Sequence, residues 1–310
     1  MVATAMIRER LPQTHVGGRP RTLPHYVCLI LVGGLLLMTL WCVRIAHAAP
    51  VRDVKALTLV SLGPTVTEKL YLLGVQDRLL GVTTYCTRPP EARSKEKVGS
   101  VTQVSIEKIL DLKPDLVFAT SLTEPRAIRS LRELKLAVTV FDEPASFAEM
   151  NDEFIKLGQL VGEEDRAREI VRAAERKVAT ISRKVRGLEK PKVFIQIGSK
   201  PLFTATRDSV MNDMVELAGA TNIGAQFRTG LFSREEVLSL NPDVILIVEM
   251  GITAENEKRT WQRFSKMAAV RNNRIFILDP YETCSPTPVT FVDALETIVE
   301  AVHPGLEVKK

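Results

Sequence analysis

The sequence predicts an α/β protein of two similar lobes, each built on a parallel central sheet, with the lobes joined by a single long backbone helix. Three observations predict it. Short apolar runs alternate with helical segments over residues 57–141, and the alternation resumes after Pro191. Between the two series, residues 146–187 read as helix throughout, with one interruption at Val161-Gly162. One stretch also occurs twice, as SIEKILDLKPDLVF from Ser105 to Phe118 and as SREEVLSLNPDVIL from Ser233 to Leu246.

The repeat reads as a helix running into a buried strand. Ser105 and Ser233 are N-cap residues, and Ser233 with Glu236 makes a capping box. Ile109, Leu110 and Leu112 match Val237, Leu238 and Leu240 as the apolar face. Lys113-Pro114 and Asn241-Pro242 stop the helices, because a residue before proline is pushed out of the α region. One copy per half of the chain argues for two related lobes and against a solenoid.

In chain order, the first series has strands at LTLVS (57–61), LLGVT (79–83), DLVFA (115–119) and AVTVF (137–141), with helices at 65–74, 105–112 and 124–134. The segment Glu163 to Val185 carries Ile170, Val171, Ala174, Val178, Ile181 and Val185 at helical spacing and is charged elsewhere. At 1.5 Å per residue it extends over roughly 35 Å, enough to reach from one lobe to the other. The second series has strands at VFIQIG (193–198), LFTAT (202–206), 244–248 and 274–278, with helices at 209–218, in the second repeat copy and at 290–302. The expected organisation is an N-terminal lobe at 49–145, a helical linker at 146–190 and a C-terminal lobe at 191–310.

Residues 1–48 stand outside this pattern. Arg8, Arg10, Arg19 and Arg21 precede an apolar run from Val27 to Val43, and Ala46-His47-Ala48 supplies a cleavage signature, so the segment reads as a secretory signal cleaved after Ala48. An uncleaved membrane anchor is the alternative reading, since the run is nearly long enough to span a bilayer. Trp41 before Cys42 argues against lipoprotein processing. The first 48 residues hold five Arg and one Glu, so of 42 basic and 37 acidic residues the mature part keeps 37 and 36. That balance gives no basis for nucleic-acid binding. His15, His25 and His47 leave with the signal, and only His303 remains. A His-rich metal site is thereby excluded, and a Cys-His dyad requires His303 to reach the site. The mature cysteines are Cys86 and Cys284.

The stretches VSLGPTVTEKLYLLGVQDRLLGVTTYCTRPPEA and VGSVTQVSIEKILDLKPDLVFA resemble the first lobe of periplasmic substrate-binding proteins of ATP-binding-cassette importers. The class is the one with a rigid backbone helix, which serves cobalamin, siderophores and haem, and the resemblance covers about residues 55–302. It implies a monomer with no catalysis and no cofactor of its own. The ligand, a corrinoid or other metal chelate, would sit between the lobes and pass to a permease dimer with its ATPase. A ferric siderophore or haem is the alternative ligand; an exported Cys-dependent enzyme and a membrane-tethered sensor domain are readings from other classes. The resemblance also implies that Glu107 and Glu235, at matching places in the two repeat copies, dock onto the two permease subunits. The plainer reading is that each complements its helix dipole.

The pocket is expected between the carboxyl ends of the strands of the two lobes. Pro64, Thr65, Tyr85 and Cys86 are its candidates from the first lobe, and Phe203, Asp279, Tyr281, Glu282 and Cys284 from the second. Tyr85, Phe203 and Asp279 match pocket residues of the cobalamin-binding members. Val101, Thr120 and about Thr229 stand where those members place Trp, and Thr283 stands in place of an Arg. Arg88 and Arg228 are the basic residues nearest these loops. Three readings are open for Cys86 and Cys284: a disulfide across the cleft, soft ligands to a metal centre, or two inert thiols.

Overall fold

The computed structural model describes residues 53–248 and 253–307, and the export signal read at residues 1–48 lies outside them. The first lobe runs β1 (Leu59–Ser61), α1 (Pro64–Leu72), β2 (Leu79–Val82), β3 (Glu96–Lys97), α2 (Ile106–Leu112), β4 (Leu116–Thr120), α3 (Pro125–Glu133) and β5 (Ala137–Phe141). All five strands are parallel, in the order β3-β2-β1-β4-β5. The central β1 is fully buried, as a strand covered on both faces must be, which is why it shows apolar residues at both Leu59 and Val60 instead of alternating with polar ones. Its side chains alternate between two cores. Leu59, with Phe118 of β4, packs with Leu70, Phe154 and Val171, while Val60 and Val117 pack with Ile109 and Leu131.

The crossing between lobes is made by α4 (Phe147–Val161) and α5 (Glu164–Val185). Gly162 ends α4 in the left-handed conformation, φ 76°, which a residue with a Cβ adopts only at a cost. The 22-residue α5 is the expected backbone helix, and its buried stripe is shared between lobes. Ala167 and Val171 belong to the first lobe's core; Ala174, Val178, Ile181 and Val185 belong to the second's. The shorter α4 divides the same way, with Phe154, Leu157 and Val161 in one core and Phe147 and Met150 in the other. At roughly 1.5–3 kcal/mol for each large apolar side chain fully buried, the linker is as much core as connection.

The second lobe runs β6 (Lys192–Ser199), β7 (Leu202–Thr204), α6 (Val210–Leu217), β8 (Thr221–Asn222), α7 (Arg234–Leu240), β9 (Val244–Ile247), α8 (Thr253–Gln262), α9 (Ala268–Arg271), β10 (Ile275–Ile277), α10 (Pro280–Cys284) and α11 (Pro288–Val302). Its sheet has the order β10-β9-β6-β7, with β8 pairing with the start of β6. All pairings are parallel except β6 with β7. Only Lys200 and Pro201 separate these two strands, too few for a crossover, so they can pair only antiparallel.

The two repeat copies form α2–β4 and α7–β9. Ser105 Oγ accepts from the Lys108 amide at 3.3 Å, and the capping box at Ser233 and Glu236 is complete. Both helices leave through a left-handed residue, Lys113 (φ 48°) and Asn241 (φ 47°). The aspartate after each proline has a structural task. Asp115 Oδ2 accepts from the Thr58 amide and hydroxyl, both at 2.9 Å, and Asp243 Oδ2 accepts from the Lys192 amide at 2.8 Å. Each aspartate therefore ties the repeat to the residue that leads into, or begins, the central strand of its own lobe.

Candidate ligand-binding site

A cavity of about 700 Å³ lies between the lobes, at the carboxyl ends of their strands. The first lobe lines it with loops that follow its strands: Pro64 and Thr65 after β1, Tyr85 and Arg88 after β2, Thr120 to Leu122 at the end of β4, and Asp142 to Pro144 after β5. From the second lobe come Ile197 of β6, Asp208 to Met211 around the start of α6, and Tyr281, Cys284 and Ser285. The β1–α1 turn is tight. An added Cβ at Gly63 would lie 2.4 Å from Thr120 Cγ2, so only glycine lets this turn approach β4. Pro64 then occupies the first turn of α1, where its missing amide hydrogen costs nothing.

The lobes also touch beside the cavity. Arg88 lies 3.7 Å from Asp279 and 3.9 Å from Glu68, and its guanidinium stands 5.3 Å from the centre of the Tyr281 ring. Thr65 Oγ1 donates to the Ser285 carbonyl at 3.3 Å. These groups are partly solvated, so each polar pair contributes at most about 1 kcal/mol.

Of the residues expected in the pocket, Pro64, Thr65, Tyr85, Tyr281 and Cys284 line this cavity. Asp279 caps α10, accepting from the Tyr281 amide at 2.7 Å, and reaches the site through Arg88. Glu282 lies on α10 near Asp279 and Arg88, outside the lining. Phe203 lines a separate open hollow with Gly198, Pro201 and Thr253. Of the positions where Trp was expected, Val101 and Thr120 line the cavity, whereas Thr229 is exposed and outside it. Thr283 is buried.

Cys86 departs furthest from expectation. It is fully buried in the first lobe's core, its Sγ 3.1 Å from both the Thr67 and the Thr83 hydroxyls. Those hydroxyls hold the thiol inward, although its loop does border the cavity. A disulfide across the cleft and a paired soft-ligand site both require Cys86 in the cleft, and both cysteines are free thiols. Burial, with Glu143 nearby, raises the Cys284 thiol to about 11, so it carries no thiolate at neutral pH. His303 faces the Ala218 carbonyl at 3.1 Å in the second lobe, and it supplies no base to the cavity.

The cavity's charge is unbalanced. Glu68, Asp142, Glu143, Glu153 and Asp208 line it against two cations, Lys69 and Arg88. Burial raises Glu68 above the usual carboxylate range; Arg88 opposes this, and Glu282 and Asp279 add to it. Burial likewise raises Glu153 against the pull of Lys69, and lowers the Lys69 ammonium against the pull of Glu153. Among the described residues, no group of three or more His, Cys, Asp or Glu side chains is placed to hold a metal ion.

The family model for periplasmic binding proteins matches residues 59–282. The chain belongs to the periplasmic binding protein family. It is 32% identical over 256 residues to the uncharacterized ABC transporter substrate-binding lipoprotein YvrC of Bacillus subtilis (strain 168), covering 79% of this chain and 80% of that protein. It is 29% identical over 244 residues to the vitamin B12-binding protein of Vibrio cholerae, covering 77% of this chain and 87% of that one. A solved structure of a possible iron-binding, periplasmic solute-binding protein from Staphylococcus epidermidis superposes with a TM-score of 0.72 at 27% identity, covering 80% of this chain and 99% of that one.

In this periplasmic binding protein two of the cavity residues missed from sequence are charged residues on helices, Lys69 and Glu153. Lys69 falls on the buried face of α1 between Val66 and Leu73, at positions i−3 and i+4. Glu153 has the same relation to Met150 and Leu157 on α4. A charge at an apolar position of a helical stripe was the available signal in both cases. Glu107 and Glu235 are both exposed in the first turns of α2 and α7. Among the described residues, no helix is long and apolar enough to cross a membrane.

Proposed function

We propose that this protein is the exported, ligand-capturing component of an ABC importer, and that its ligand is a corrinoid. The excess of carboxylates in the cavity carries the ligand assignment. A like charge brought to about 4 Å in such a partly solvated site costs roughly 4 kcal/mol. Haem brings two carboxylates, and many ferric siderophores are anionic. A corrinoid such as cyanocobalamin carries neutral carboxamides around its ring, and its cationic cobalt centre balances the phosphodiester of its nucleotide loop, so it adds no net negative charge. The aromatic faces of Tyr85, Tyr281 and Phe141 supply apolar contact. The cavity volume falls within the usual range for small-molecule sites. The role is capture without catalysis: Cys284 is held protonated and Cys86 is sealed in the core. After capture, Glu107 and Glu235 present the same charge on matching helices to the two subunits of a permease dimer. Titration calorimetry at one ionic strength with cyanocobalamin, haem and a ferric siderophore tests the ligand assignment. Saturable one-to-one binding of the corrinoid supports it; binding of haem or siderophore without corrinoid binding overturns it.

A further inference from the structure

Lys69 is 5% exposed, yet it lines the cavity. Among the described residues its ammonium has one partner, Glu153 Oε2, at 3.8 Å. That is an ion-pair distance, too long for a hydrogen bond of ordinary strength. Glu153 Oε2 is itself buried and has no hydrogen-bond partner. The pair therefore offers ammonium N–H donors and a carboxylate acceptor side by side, loosely paired, with Glu153 Oε2 left without a hydrogen bond. Lys69 is on α1 of the first lobe, and Glu153 is on α4, next to Phe154 of the first lobe's core. Thr120 Oγ1, on another residue of the cavity wall, is also buried without a partner.

A buried ion pair of poor geometry is a weak stabiliser, since desolvation offsets its attraction. The stripe around Lys69 would accept an apolar residue in its place, so stability alone gives no reason for a charge there. Ligand complementarity gives one. An anionic group drawn to Lys69 would stand against Glu153, and a cationic group drawn to Glu153 would stand against Lys69. A neutral group that both accepts and donates meets the two without adding charge to a buried site.

We propose that Lys69 and Glu153 form a subsite for a primary carboxamide of the ligand, whose carbonyl accepts from Lys69 Nζ and whose NH₂ donates to the Glu153 carboxylate. This deepens the corrinoid reading and rests on it, because a corrin periphery carries such groups. It also assigns the two residues a specificity role: they distinguish an amide from the acid of the same shape.

The test compares cyanocobalamin with its monocarboxylic acids, each having one side-chain amide hydrolysed, by titration calorimetry on the full mature protein. The wild type is expected to bind the fully amidated form at least about tenfold more tightly than one of the acids. The Lys69→Met/Glu153→Leu double variant replaces the pair with apolar groups of similar size and so leaves no lone buried charge. It should keep the wild-type melting temperature to within a few degrees and lose the discrimination. A second arm uses no corrinoid: nicotinamide and nicotinate are titrated while the Lys69 side-chain NMR signal is followed. Nicotinamide is expected to shift that signal, and nicotinate to shift it less. If cyanocobalamin does not bind but nicotinamide shifts Lys69, the corrinoid reading fails and the subsite stands. Cyanocobalamin binding with no preference over any acid, or a preference that survives in the double variant, overturns the subsite and leaves the corrinoid reading intact. Failure of both ligands to act in their two arms overturns both.

Discussion

Replacing Gly63 with alanine tests how the β1–α1 turn is fitted against the cavity wall. The backbone there is extended, φ −142° and ψ 139°, so alanine meets no conformational penalty. Alanine also stiffens the unfolded chain, which by itself would stabilise by about 0.4–1 kcal/mol. The obstacle is a single methyl. The new Cβ would lie 2.4 Å from Thr120 Cγ2, but 3.7 Å from Thr120 Cβ and 3.8 Å from Oγ1. The first distance forces a shift of the order of an ångström, and the other two are ordinary contacts. Gly63→Ala should therefore cost about 1–3 kcal/mol, the usual range for overpacking a fitted site. Thr120→Ser removes the obstructing methyl and should cost about 1 kcal/mol by itself. The double variant should then be no less stable than Thr120→Ser alone, giving a coupling of about 1–3 kcal/mol between the two sites in a double-mutant cycle. Urea denaturation of the four proteins measures it. Additive effects, or a Gly63→Ala protein as stable as wild type, would refute the reasoning that close approach is what requires glycine at this turn.

Three further expectations concern the repeat and the cavity. Asp115→Ala and Asp243→Ala should each destabilise by about 1–3 kcal/mol, because each strands a backbone amide at the central strand of a lobe; denaturation midpoints check this. Glu107→Lys combined with Glu235→Lys should abolish ligand uptake in a reconstituted permease assay while calorimetric affinity stays at the wild-type value; unchanged uptake would remove the docking role. The pH dependence follows from Glu68, Glu153 and Glu282, all raised above the usual carboxylate range, chiefly by burial. Between their unfolded and folded pKa values the folded protein binds more protons than the unfolded chain, so stability falls as pH rises through that window. The melting temperature should increase as the pH is lowered from 7 toward the ordinary carboxylate pKa, and Glu68→Gln should flatten the slope.

Much of the fold was legible because its strands are short, mostly apolar runs and its helices carry regular apolar stripes. AVTVF is strand β5 residue for residue, and the stripe from Val171 to Val185 marked the backbone helix. The helix α8 was not legible, for a physical reason. Its buried residues are Ala254, Glu257 and Trp261, and two of them bury polar atoms in a network instead of packing apolar surface alone. Trp261 Nε1 donates to Gln196 Oε1 at 2.6 Å, Gln196 Nε2 donates to Glu257 at 2.8 Å, and Arg234 donates to Glu257 at 2.5 Å. Hydrophobic periodicity cannot register such a helix. In the cavity, placing residues by chain position worked at Tyr85, whose loop borders the cavity, and at Tyr281 on α10. It failed at Cys86, whose direction is set by Thr83 of its own loop and by Thr67 on α1. The repeat showed a twofold relation between the lobes, but not that its aspartates clamp the strands.

The most direct test of the account is the absorption spectrum and metal content of the protein isolated from its native cells. A visible corrin spectrum with close to one cobalt per chain is the predicted result. A Soret band with iron, or a ferric siderophore spectrum, would contradict the assignment drawn from the acidic cavity.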